Sequence, residues 1–186
     1  KARFTLIDAD GNEKASTIAD LRPIISAKLP VEDPVLWNGR KNPYLYTVRC
    51  EIFDSTTQEV TDNIDIRTGL REYHIDSHKG FFLNGEHIKL HGVSRHQDRE
   101  NMGNAITEKQ HAEDVKIILD VGANSVRLAH YQQNSYFYDL CDESGLLVWA
   151  EVPVISRFSP KRNENAEQQL VELIKQNYNH PSIFCW

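Results

Sequence analysis

Apolar and polar residues alternate along several short stretches in the first 75 residues of the chain. The clearest stretch is YLYTVRCEIF (44–53), where every second residue from Tyr46 to Ile52 is apolar and those between are polar. A period of two is that of a β-strand with one buried face. RFTLI (3–7) and IISAKL (24–29) give shorter strand signals between turn residues. These residues show no helical periodicity. The pattern therefore predicts an antiparallel β-sandwich that lacks some of its strands.

After residue 76 the pattern changes to strands that alternate with helices. FFLNGEHIKL (81–90) holds Asn84-Gly85 between two apolar runs, which is the strongest short-range signal for a β-hairpin. Thr107, followed by a glutamine three residues later, forms a capping box that predicts the start of a helix. Gly122 fits the C-terminal cap of the same helix.

The remaining pattern predicts three more strands and two more helices. The strands are NSVRL (124–128), LLVWAEV (146–152) and SIFCW (182–186), and the helices cover about 135–143 and 165–179. Continuous apolar strands between helices are typical of a parallel sheet that is covered on both faces. Four strands and three helices fit half of an eight-stranded βα-barrel, and they equally fit a small open α/β sheet.

Polar side chains gather where these predicted strands end. His96 follows the first strand, Arg127 and His130 follow the second, and Glu151 ends the third. In a βα-barrel the active site is built at these carboxyl ends. Imidazole, guanidinium and carboxylate groups are suited to binding a polyhydroxylated ligand. A nucleotide site is unsupported, because no glycine-rich phosphate loop is present.

Each of these residues also has a purely structural interpretation. His96 stands in a charged run and fits a solvated loop histidine. Glu151 fits a helix cap or an ion-pair partner of Arg127 or Arg157, since a buried guanidinium needs a carboxylate. Trp149, inside an apolar strand, is expected in the core.

Composition and charge exclude several classes of function. The 186 residues carry a net charge of −6 and no basic tract, so a nucleic-acid footprint is absent. No apolar run approaches the roughly 20 residues of a membrane span, and no signal peptide is visible. Three cysteines, odd in number and far apart in apolar surroundings, indicate a reducing compartment and favour a cytoplasmic location.

The run NSVRLAHYQQNSYFYDLCDESGLLVWAE (124–151) resembles the first signature of glycoside hydrolase family 2, the family of β-galactosidases and β-glucuronidases. Its Asn-x-x-Arg core, His-Tyr pair and Asp-x-x-Gly before an apolar strand make a long and specific motif. Three further segments are similar to other parts of that family, namely LWNGRKNPYLYTV (36–48), FFLNGEHIKLHGVSRHQD (81–98) and NYNHPSIFCW (177–186). The resemblance therefore covers essentially the whole chain.

The resemblance implies a mixed β and α/β fold. An incomplete immunoglobulin-like β-sandwich is expected over residues 1–75, and the N-terminal part of a (β/α)8 TIM barrel over residues 76–186. Retaining glycosidases use two carboxyl groups about 5 Å apart. The resemblance places both catalytic glutamates beyond Trp186, so no catalytic residue is expected in this chain and the 186 residues alone are expected to be inactive.

The resemblance also assigns roles to individual residues. His96 and His130 match histidines that contact substrate hydroxyls, and Arg127 matches the arginine that pairs with the region of the nucleophile. Glu151, at a strand end, and Trp186, at the barrel end of its strand, complete the expected substrate-binding set.

Two departures from the family pattern matter. Gln132 stands where the family has a proline after His-Tyr, which puts the geometry of that loop in doubt. Ile155 and Arg157 stand where one branch of β-galactosidases has a Glu-x-His pair that supplies magnesium ligands. We therefore expect no magnesium site of that type, no other metal and no cofactor.

The parent protein is expected to be a β-galactosidase, which the RLAHY and AEVP runs favour. β-Glucuronidase, or another exo-glycosidase of family 2, is an alternative within the same class. A non-catalytic carbohydrate-binding or structural module is the alternative of a different class. The expected partner is a carbohydrate, such as a β-galactoside, without nucleic acid or membrane, and a homo-oligomeric parent is compatible with the sequence.

Overall fold

A computed structural model describes residues 1–155 and 162–186 of the chain, which form eleven strands and three α-helices. The strands in chain order are β1 (Ala2–Ile7), β2 (Glu13–Ala19), β3 (Tyr46–Phe53), β4 (Val60–Thr68), β5 (Tyr73–Asp76), β6 (Gly80–Leu83), β7 (Glu86–Ile88), β8 (Gly92–Arg95), β9 (Ser125–Leu128), β10 (Leu147–Trp149) and β11 (Ile183–Cys185). The helices are α1 (Glu108–Asp120), α2 (Ser135–Ser144) and α3 (Asn163–Asn177). None of the described helices is both long enough and apolar enough to cross a membrane.

The N-terminal strands form an antiparallel sheet in the order β2-β1-β3-β4. The strand predicted for 44–53 is confirmed as β3, which pairs with β1 on one side and β4 on the other, although Ile52 of its predicted apolar face is 36% exposed. The Asp8 carboxylate closes the turn after β1 by accepting hydrogen bonds from the amides of Asp10 (3.0 Å) and Asn12 (2.8 Å). This turn returns the chain directly alongside β1.

The strand predicted at IISAKL (24–29) is wrong, because these residues form no strand and β2 lies at Glu13–Ala19 instead. The tight turn makes the segment that follows it the antiparallel partner of β1. The 24–29 segment lies between Pro23 and Pro30, and proline cannot donate a hydrogen bond to a sheet ladder. The geometry of the turn, and not the local apolar pattern, therefore decided which segment forms β2.

A second sheet has the order β5-β6-β7 and contains the predicted hairpin. Asn84 and Gly85 have φ values of 49° and 80°, as a two-residue type I′ turn requires, and Leu83 pairs with Glu86 across it. The hairpin is held by a cluster of buried side chains, which we call the junction cluster: Trp37, Phe81, Leu83 and Leu147.

The third sheet is parallel, with the order β8-β9-β10-β11, so each strand lies beside its neighbour in sequence. The predicted capping box at Thr107 and Gln110 opens α1, and Gly145 (φ 71°) ends α2. Helix α3 begins two residues earlier than predicted. A second cluster, the helix-side cluster, joins the sheet to the helices and includes Val126, Leu128, Phe137, Val148, Leu173 and Ile183.

Hydrogen bonds tie the N-terminal part of the chain to the parallel sheet. The indole Nε1 of fully buried Trp37 donates to the carbonyl of Asp142 at 2.9 Å. The guanidinium of Arg71 donates to the carbonyls of Pro181 (2.6 Å) and Ile183, at the start of β11. These contacts fix where α2 and the start of β11 lie relative to the N-terminal part of the chain.

Candidate functional site

The carboxyl ends of β9 and β10 bring three of the expected site residues into direct contact. Trp149 pairs with Arg127 in the parallel register, which places Glu151 and His130 just beyond the two strand ends. The guanidinium of Arg127 grips the carboxylate of Glu151 with two hydrogen bonds, one from Nε to Oε1 and one from Nη2 to Oε2 at 3.1 Å. Nδ1 of His130 lies 3.0 Å from Oε2 of the same carboxylate. Glu151 is therefore the centre of a three-residue cluster.

This geometry favours one tautomer of His130. Nδ1 also lies 3.1 Å from Nη2 of Arg127, which can only donate. A carboxylate can only accept, and a hydrogen bond to an ionised acceptor is the stronger kind, so a proton on Nδ1 that is donated to Glu151 is favoured over donation from Nη2 of Arg127 to Nδ1. The opposite nitrogen, Nε2, is then the atom available to accept a hydrogen bond from a ligand hydroxyl.

The cluster shifts the pKa values of its charged members. Partial burial raises the pKa of Glu151, but the hydrogen bonds from Arg127 and His130 and the charge of Arg127 outweigh burial and bring it below its ordinary value of 4.5. The hydrogen bond that Arg127 donates to Glu151 is the main reason why the pKa of Arg127 is raised. Both groups are thus held in their charged forms at neutral pH.

The contribution of Glu151 to stability is expected to depend on pH. Because its folded pKa is depressed, the stabilisation is complete above about pH 4.5 and is lost as the pH falls through the folded value. Comparing wild type with Glu151→Gln by calorimetry from pH 7 to pH 3.5 tests this point. The wild-type advantage should shrink only below about pH 4.5. An advantage that stays constant across the range would contradict the assignment.

His96 lies beside this cluster at the end of β8. Its ring is exposed and meets the ring of His130 edge to face, with 5.4 Å between centroids. The ring of Tyr131 lies 6.1 Å away. Arg127 points to the face of the sheet opposite the helix-side cluster, since its neighbours Val126 and Leu128 belong to that cluster. The structure thus brings together four of the five expected site residues.

Trp186, the fifth, is placed differently. It is half-buried and packs against the helix-side cluster, and it also borders a cleft lined by Arg71, Tyr178 and Pro181. Its role in binding a substrate stays a prediction.

Trp149 is the residue that the sequence pattern misplaced. It was expected in the core, but its side chain is 45% exposed, and the guanidinium carbon of Arg127 lies 5.6 Å from its ring centroid. The register explains this position, because Trp149 pairs with Arg127 and shares its face of the sheet, while Val148 points to the helices. An aromatic ring beside a guanidinium suits the apolar C–H face of a sugar.

A separate group of potential metal ligands, Asp139, Asp142 and His180, lies away from this cluster within the described part of the chain. Each member already has a partner. Asp142 accepts hydrogen bonds from Nδ1 of His180 (2.6 Å) and from the amide of Ser182 (3.1 Å), and Asp139 pairs with Arg67 at 2.9 Å. These side chains therefore act as structural links. The expected absence of a magnesium site involves Arg157, which lies outside the described residues, and stays a prediction.

Comparison with known proteins identifies the family. Residues 1–71 match the family model for glycosyl hydrolases family 2, and residues 75–186 match that for glycosyl hydrolases family 2, TIM barrel domain. The chain belongs to glycoside hydrolase family 2. The predicted fold class is confirmed, because these family 2 segments correspond to the immunoglobulin-like domain and to the start of the barrel.

Individual relatives agree with this family 2 assignment. A β-glucuronidase of Bacteroides fragilis is 46% identical over 167 residues, which cover 85% of this chain and 24% of the relative. A β-galactosidase of Thermoanaerobacter pseudethanolicus is 33% identical, over 97% of this chain and 25% of the relative. The crystal structure of an FMN-binding β-glucuronidase from Facaelibacterium prausnitzii L2-6 superposes with a TM-score of 0.89 at 43% identity, over 98% of this chain and 28% of that one. The chain thus spans about a quarter of the length of the curated relatives it matches.

Proposed function

We propose that the chain forms part of a retaining exo-β-glycosidase and carries one wall of its sugar-binding site. The observation that carries this proposal is the cluster of Arg127, His130 and Glu151 beside His96, at the edge of the parallel sheet where barrel enzymes bind substrate. We also infer that residues 1–75 and 76–186 are its two domains, an inference supported by the separate four-stranded antiparallel sheet of β1–β4, which ends at Thr68.

In this proposal each side chain has a distinct role. The imidazoles of His96 and His130 bind sugar hydroxyls, with Nε2 of His130 as the acceptor. Arg127 and Glu151 hold the cluster rigid, and Glu151 keeps His130 in one tautomer. The charge of Arg127 is already balanced by Glu151, so it is not free to neutralise a substrate carboxylate. The described cluster therefore binds hydroxyl groups that are present in both galactosides and glucuronides.

Two sugars are therefore candidates for the substrate. The β-glucuronidase of Bacteroides fragilis, at 46% identity, supports a β-glucuronide as substrate. The β-galactosidase of Thermoanaerobacter pseudethanolicus, at 33% identity, supports a β-galactoside, which the sequence analysis favoured. Discrimination between them requires a cationic group for the uronic carboxylate in addition to the described cluster.

Purified parent protein should hydrolyse the nitrophenyl β-glycoside of one of these two sugars, release the β-anomer first and ignore the α-glycosides. Initial rates and the anomeric signal in proton NMR measure these properties. Hydrolysis of neither β-glycoside would refute the proposed activity, and initial release of the α-anomer would refute retention.

The 186 residues alone are expected to hydrolyse neither substrate. The resemblance places both catalytic glutamates outside this chain, and the carboxylate of Glu151 is engaged by Arg127 and His130. The same nitrophenyl assays, on chain produced in a host that lacks its own glycosidases, check this. Turnover proportional to the amount of chain would show that it contains a complete catalytic pair.

A further inference from the structure

A buried guanidinium lies directly behind the two imidazoles. Arg95 is only 6% exposed, and its Nε and Nη2 donate to Oδ2 of Asp114 on α1 at 2.9 and 2.7 Å. Its Nη2 also lies 2.9 Å from Nδ1 of His111, and its guanidinium carbon lies 3.9 Å from the ring centroid of Phe137 on α2. A single carboxylate, an imidazole and an aromatic face thus fix this cation between two helices.

Gln133 holds Arg95 at both ends. Its Oε1 accepts a hydrogen bond from Nη1 of the Arg95 guanidinium, and its Nε2 donates to the Arg95 main-chain carbonyl at 3.1 Å. The amide of Ala129 donates to the same carbonyl at 3.1 Å. Gln133 is itself only 4% exposed, so water cannot readily replace either of these two hydrogen bonds. The end of β8 is therefore locked to the loop that follows β9.

A second pair of bonds links these loops on the far side of His96. The amide of Gln97 donates to Oη of Tyr131 at 2.9 Å, and the amide of Asn134 donates to Oε1 of Gln97 at 2.7 Å. Within the described part of the chain the ring of His96 makes no hydrogen bond of its own. Its position thus depends on Arg95 and Gln97, which are both tied to the loop that carries His130.

We propose that Gln133, acting through Arg95, is a positioning residue that sets the separation of the His96 and His130 rings for sugar binding. This inference rests on the proposed function, because it assumes that the two imidazoles contact substrate. Removing the amide takes one hydrogen bond from the Arg95 carbonyl and one from its guanidinium, so the buried link between the two loops is lost and their relative position is expected to shift. The sugar then meets two imidazoles that are no longer held at 5.4 Å.

The test compares Gln133→Met with Gln132→Met in the parent protein. Gln132 is the matched control, since it is the adjacent glutamine, is exposed and bonds only Gln176 among the described residues. For Gln133→Met we expect KM for the hydrolysed nitrophenyl glycoside to rise about tenfold, or about 1.4 kcal/mol. Gln132→Met should leave KM within about twofold. A purely structural role would lower the amount of active enzyme and leave KM unchanged.

Gln133→Glu provides a second variant that keeps the acceptor for the Arg95 guanidinium and loses the donor to its carbonyl. Its KM should rise about threefold, between wild type and Gln133→Met. If Gln133→Met does not fold, the KM of Gln133→Glu alone tests the proposal. An unchanged KM in a folded Gln133 variant, or an equal rise in Gln132→Met, would overturn the proposal.

A crystal structure of a folded Gln133 variant of the parent separates this inference from the proposed function. Displacement of the His96 ring relative to His130 by more than about 0.5 Å supports positioning even if neither glycoside is hydrolysed. Rings that keep their wild-type separation would refute positioning while leaving the glycosidase proposal intact.

Discussion

Asp142→Ala is expected to destabilise the protein by about 3–5 kcal/mol, the largest effect on stability among the changes considered. The carboxylate of Asp142 is almost fully buried and accepts hydrogen bonds from Nδ1 of His180 (2.6 Å) and from the amide of Ser182 (3.1 Å). Alanine leaves both donors without a partner in a site closed to water. Since Asp142 joins α2 to the segment that leads into β11, the loss spreads to the last strand. Urea denaturation and calorimetry measure it.

Asp139→Ala is the matched control, because Asp139 lies on the same helix and pairs with Arg67 at the surface. An exposed ion pair of this kind contributes about 0–1 kcal/mol. Asp142→Asn should fall between the two, since it keeps one acceptor oxygen in place. Equal losses for Asp139→Ala and Asp142→Ala would show that the buried link adds nothing beyond surface charge.

Glu151→Ala in the parent protein is expected to lower kcat/KM by about 100-fold. Its carboxylate is the common partner of Arg127 and His130, so its removal frees both side chains and the His130 tautomer at once. A misplacement of about 1 Å in a catalytic site can cost about 100-fold in rate. Initial rates on the nitrophenyl glycoside that the wild type hydrolyses provide the measurement.

Glu151→Gln should lose less activity than Glu151→Ala, because the amide keeps an acceptor oxygen for Arg127 but not the charge. Glu172→Ala, an exposed glutamate on α3 that bonds Gln168, controls for loss of a carboxylate at the surface and should retain wild-type kcat/KM. Wild-type activity in Glu151→Ala would mean that the cluster is structural and does not orient substrate.

Local signals explain why many elements could be predicted from the sequence. The Asn84-Gly85 hairpin and the Thr107 capping box each depend on residues within a few positions of one another. The segment 24–29 failed because pairing, not apolar content, decides where a strand forms, and the turn closed by Asp8 delivers residues 13–19 to β1 first.

The same distinction between local signals and long-range pairing applies to the candidate site. His96, Arg127, His130 and Glu151 could be named because parallel strands end on one edge of a sheet, so polar residues after successive strands must meet there. Their hydrogen bonds could not be named, since these depend on the relative register of β9 and β10. Arg95 and His96 are adjacent polar residues in one charged run, and nothing local tells which of them is buried.

The sequence by itself determined the family, the succession of strands and helices and the edge of the sheet where chemistry is expected, because motif, period and turn are written in neighbouring residues. Only the tertiary structure decided that Trp149 shares the face of Arg127, that Trp186 packs on the helix side and that Gln133 binds Arg95. The physical reason is that these contacts join residues from different elements. Their geometry is set by strand register and helix packing, which no local pattern encodes.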